Sequence, residues 1–136
     1  MAFIESTANP KGKRTNDCIV RSIANATGRP WADVLRELCE IGIELSNMPN
    51  SGEVVDEYMY RRKVFANQPK KSTTVAEFAK EHPTGRFVIG VQDHGVSMID
   101  GNWYDLIDSG RDEIVDYYDA IQIEEYLALS EFPTLE

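Results

Sequence analysis

The chain has 136 residues, 42% of them apolar and 27% charged, which suits one domain and excludes an intrinsically disordered chain. No stretch approaches the roughly 20 apolar residues of a membrane span, so no membrane partner is expected. The formal net charge is −9 and uneven: residues 1–36 carry +3, whereas 97–136 set Arg111 against eleven carboxylates, −10 in all. Such a surface repels phosphate backbones and excludes ordinary nucleic-acid binding; a basic protein partner, nucleic-acid imitation or a plain solvated acidic face remain.

The opening residues place apolar side chains before charges, the reverse of a secretory signal. Cys18 and Cys39 are too few for a disulfide framework, so a reduced, cytoplasmic setting is expected. Residues 1–14 read as an N-terminal arm, broken by Pro10 and Gly12. The first periodic segment starts at Cys18, with Ile19, Val20, Ile23, Ala24 and Ala26 at helical spacing, Asn16 or Asp17 as cap and Gly28 as stop. A second helix follows Pro30 through Trp31, Val34, Leu35, Leu38, Cys39 and Ile41, and GEVVDEYMYRR makes a third. Thr74 and Glu77 form a capping box for a fourth, which ends before Pro83.

The period then changes. Arg86–Val91 is an apolar run of strand length, and Val96–Ile99 and Trp103–Leu106 flank Asp100-Gly101-Asn102, a hairpin signal. Residues 114–121 alternate as a further strand, and Ile123–Leu129 reads as a last helical turn or two. Helices first and an antiparallel sheet afterwards predict an α+β fold in a single domain over 1–136.

Three side chains stand out chemically. Cys18 lies in the first turn of a helix, where free backbone N–H groups and the helix dipole stabilise a thiolate. His94 falls at the edge of a strand, whereas His82, in Glu81-His82-Pro83, has an ordinary helix-end context. With a turn centred on Gly101, positions summing to about 200 face one another, which sets His94 beside Asp105; Asp108 is the competing acid. Such an acid would accept the Nδ1–H of His94 and steady the imidazolium. Two cysteines and two histidines lack zinc-ligand spacing, and no glycine-rich phosphate loop occurs, so neither metal nor cofactor is expected.

Asn16-Asp17-Cys18-Ile19-Val20-Arg21-Ser22-Ile23-Ala24, Ala26-Thr27-Gly28-Arg29-Pro30-Trp31, and His94 through Ile99-Asp100-Gly101 to Tyr104-Asp105 together resemble the papain-like cysteine peptidase superfamily. The nearer likeness is to short, mostly uncharacterised phage-encoded members and, in outline, to bacteriocin-leader peptidases. Val75–Gly85 is similar to the segment before their His strand, so the resemblance spans about residues 13–120. It implies a papain-like fold with helices packed on the sheet, and a host-cell cytoplasmic setting if phage-encoded. Cys18 would be the nucleophile, His94 general base then acid, and Asp105 the orienting carboxylate, acting on a protein or peptide. Papain-like enzymes usually add an oxyanion-binding Gln upstream of the Cys; here Gly12 stands six residues before it, and Asn16 is the substitute donor. Trp31, Trp103 and Tyr104 are candidates for lining a groove between helices and sheet. The alternative is a catalytically inactive scaffold that inhibits a host factor through its acidic C-terminal third.

Overall fold

The computed structural model describes residues 1–123. Within them the chain is a mixed α+β fold, in the order β1 (Phe3–Glu5), α1 (Cys18–Thr27), α2 (Trp31–Leu45), α3 (Gly52–Arg61), α4 (Val75–Glu81), β2 (Arg86–Val91), β3 (His94–Ile99), β4 (Asn102–Asp105) and β5 (Asp116–Asp119). A further helix begins at Ala120, and most of the expected turn over 123–129 lies outside the described residues.

The five strands form one sheet in the order β1-β4-β3-β2-β5. Within it β2, β3, β4 and β5 pair antiparallel, whereas β1 lies parallel to β4, with Glu5 opposite Asp105. The segment expected to be a free arm thus supplies an edge strand, and the purely C-terminal antiparallel sheet expected from the sequence is corrected accordingly. Three residues are too few to show a strand period, and only the exposed edge of β4 makes them one.

Alternation along β2 explains why helices lie on both faces of the sheet. Val88 packs with Tyr118 and the side chains of α1, α2 and α3, whereas its neighbour Ile89 packs with Val75, Phe78 and Ala79 of α4. Asp100 and Gly101 both adopt positive φ, 49° and 78°, the conformation of a tight two-residue hairpin turn. That turn fixes the register Ser97–Tyr104, Met98–Trp103 and Ile99–Asn102. The capping box at α4 forms as expected, with Thr74 Oγ1 accepting from Glu77 N–H and Glu77 Oε1 from Thr74 N–H. Among the described residues no helix is long and apolar enough to cross a membrane.

Candidate active site

The site forms where the mouth of α1 meets the start of β3. Cys18 is the first residue of α1, and α1 packs across β3. Gly95 permits that packing: a Cβ there would stand 3.1 Å from Ser22 Oγ and 3.4 Å from Ile19 Cδ1. Ser22 is itself held, its hydroxyl donating to the Cys18 carbonyl at 2.6 Å. With no side chain between helix and strand, Cys18, His94 and Gly95 line one cavity, close enough for the His94 ring and the Gly95 backbone N–H to act on the thiol.

His94 opens β3 directly after the two-residue turn Gln92-Asp93, with Asp93 at positive φ. Its Nε2 stands 2.5 Å from Asp105 Oδ2. The carboxylate therefore takes Nε2 rather than the Nδ1 expected from the sequence, and Nδ1 is the nitrogen left for Cys18.

Asp105 is 2% exposed, and each of its oxygens has two donors. Oδ2 takes His94 and the Ser109 hydroxyl at 3.3 Å; Oδ1 takes the Leu106 N–H at 2.7 Å and Arg21 Nη1 at 3.2 Å. Arg21, one turn beyond Cys18 on α1 and 6% exposed, also donates from Nε to Asp17 Oδ1 at 2.8 Å. Asp17 Oδ2 in turn accepts the Trp31 indole N–H at 3.0 Å. Asp17 occupies the cap position of α1, but its side chain makes no cap hydrogen bond because both its oxygens are used in this way.

The competitor Asp108 is placed elsewhere, accepting the Trp103 indole N–H at 2.8 Å and the Gly110 N–H at 2.9 Å. His82 caps the end of α4 and stacks on Phe78. Neither Trp31, Trp103 nor Tyr104 lines the cavity at Cys18: Trp103 is buried in the core, and Trp31 is turned onto Asp17. Asp17 and Arg21 are the site residues that sequence reasoning passed over. Their signal was an Asp and an Arg four apart, flanking Cys18 at the start of a helix with no other charged residue.

Electrostatics follow this geometry. Burial opposes a charge on Cys18, but the His94 and Gly95 hydrogen bonds and the nearby positive charges of His94 and Arg21 bring its thiol below the ordinary value. His94, bonded to Asp105 and then to Cys18, is pushed up to about 10 despite its own burial. Burial likewise opposes the charge on Asp105, and the His94, Leu106 and Arg21 bonds outweigh it, holding the carboxyl below its usual range. The same contacts that keep His94 protonated thus favour the thiolate form of Cys18.

Cys18 and His94 open into a cavity of about 390 Å³ between α1, the start of α3 and the sheet. Asn16 is exposed on its rim; Asp56, Asp93 and Asp116 line it, and no Lys or Arg does among the described residues. Burial and the neighbouring Asp56 push the carboxyl of Asp116 up. Among the described residues no group of three or more His, Cys, Asp or Glu is placed to hold a metal ion. A scan against protein-family models and searches of curated proteins and of solved structures return no match.

Proposed function

We propose that the protein is a papain-like cysteine hydrolase acting on amide bonds of a protein or peptide. The observation that carries this reading is the Cys18–His94 contact at a cavity wall, with His94 backed by the buried Asp105. A helix-mouth thiolate, an imidazolium and an orienting carboxylate are the groups that acyl transfer needs.

Cys18 Sγ attacks the carbonyl carbon, forming the C–S bond and moving the carbonyl π pair onto oxygen. The Cys18 backbone N–H, which has no acceptor within its own helix, and the Asn16 side-chain amide are the donors available to that oxyanion. When the C–N bond breaks, the imidazolium of His94 passes its proton to the leaving amine. Water then adds to the thioester, giving a proton to the now neutral His94, and Cys18 departs as thiolate with the acid as product. His94 thus takes the thiol proton, as the sequence resemblance implies, passes it to the leaving amine and then accepts one from water.

Peptide libraries incubated with the wild type and with Cys18→Ala, read by mass spectrometry, test this. Cleavage by the wild type and none by the variant is expected. Equal cleavage by both, or a function in cells that survives Cys18→Ser, overturns it in favour of a binding scaffold.

A further inference from the structure

Resting on that reading, we infer that Arg21 is a positioning residue of the catalytic array, held in place by Asp17 and Trp31, which ties the helix bearing the nucleophile to the strand bearing the orienting acid. Cys18 and Asp105 belong to different elements, and the Cys18–His94 contact depends on where α1 sits on the sheet. Besides His94, which sits on β3, Arg21 spans the two, and it does so from the nucleophile's own helix. Its Nε is anchored on α1's own cap residue at 2.8 Å, and its Nη1 reaches Asp105 Oδ1 at 3.2 Å. Trp31, opening α2, locks the far oxygen of Asp17, so the guanidinium cannot swing without breaking a bond at both ends.

The charges alternate along this chain: Asp17, Arg21, Asp105, His94, Cys18. Two buried carboxylates flank one guanidinium, so the positive charge of Arg21 offsets the cost of ionising Asp105 away from water. Its planar fork matters as much as its charge, since a lysine ammonium is a point donor on a flexible stem and does not reproduce two fixed directions. Asp105 Oδ1 has a second donor in Leu106 N–H, but that bond lies within β4 and its following turn and conveys nothing about α1.

The test is the pH profile of Cys18 alkylation by iodoacetamide, run with circular dichroism as a fold check, on wild type, Arg21→Lys and Trp31→Phe. Arg21→Lys keeps the charge and loses the fork. Trp31→Phe keeps the ring and loses only the N–H that locks Asp17. The expected result is a midpoint moved up by about one pH unit in Arg21→Lys, with a smaller shift of the same sign in Trp31→Phe. Turnover of a cleaved peptide should fall in kcat with little change in KM. A purely structural Arg21 would lower thermal stability and leave both profiles at wild type. Folded variants with wild-type profiles therefore overturn the inference, as does a wild-type profile in Trp31→Phe should Arg21→Lys not fold. An ordinary thiol profile in the wild-type protein is a different outcome, which sinks the cysteine-hydrolase reading itself.

Discussion

His94 Nε2 and Asp105 Oδ2 are 2.5 Å apart although their residues are not ladder partners. The β3–β4 register, continued one step, puts Asp105 opposite Val96, so His94 is its diagonal neighbour on the same side of the sheet. The contact is thus set by the Asp100-Gly101 turn: one residue more in that turn would move the carboxylate to the other face. Asp105→Asn keeps the shape and removes the charge that holds the imidazolium. Its turnover is expected to fall by about 10²–10⁴, the range for losing acid–base function, and an unchanged kcat in peptide assays would show that His94 works without it.

Folded His94 binds its proton more tightly than an unperturbed imidazole, at about 10 against 6.5. The stability this contributes is complete below about 6.5 and is lost as pH rises through about 10. Urea denaturation of wild type and His94→Ala should therefore show a gap that is widest near pH 6 and closes by about pH 10.5. A gap that widens with pH would contradict a charged resting imidazole.

Gly95 lets α1 approach β3, and Ser22 Oγ, bonded to the Cys18 carbonyl, retreats only at the expense of that bond. Gly95→Ala should displace the helix mouth by a few tenths of an ångström and cost about 1–3 kcal/mol, as overpacking does. Slower Cys18 alkylation in a protein that remains folded is the accompanying expectation. A variant with wild-type stability and alkylation rate would show that the contact has slack.

Much of this site was legible in the sequence because local rules decide it. The helix opening at Cys18, the Thr74–Glu77 box, the strand Arg86–Val91 and the Asp-Gly hairpin each depend on neighbours within a few residues. Through the hairpin, the meeting of His94 with Asp105 becomes nearly local too. The parts that stayed hidden depend on distant partners. Phe3–Glu5 is a strand only because β4 offers an edge, and Asp17 spends both oxygens on Arg21 and Trp31 rather than on its own helix. That Nε2 rather than Nδ1 meets the carboxylate is a matter of ring orientation, which no spacing encodes.

The cavity at Cys18 carries Asp56, Asp93 and Asp116 without a lining Lys or Arg among the described residues. Carboxylates at a mouth concentrate cations, an effect that salt screens with a Debye length of about 10 Å at 0.1 M. Among cleaved peptides, those with Lys or Arg near the scissile bond should show the lowest KM at low ionic strength, and that advantage should shrink with added salt and in Asp116→Asn. Salt-independent KM values for such peptides would remove electrostatics from substrate choice.

The thiolate–imidazolium pair is tested most directly by the rate of Cys18 alkylation with iodoacetamide as pH is lowered, resolved from Cys39 by peptide mass spectrometry. An ordinary thiol of pKa about 8.5 is ionised to only about one part in 300 at pH 6 and reacts correspondingly slowly. Cys18 is expected to keep more of its pH 8 rate at pH 6 than an ordinary thiol does, and His94→Ala should return it to the ordinary profile. If Cys18 instead slows with acid as an ordinary thiol does, and His94→Ala changes nothing, no ion pair exists at the mouth of α1.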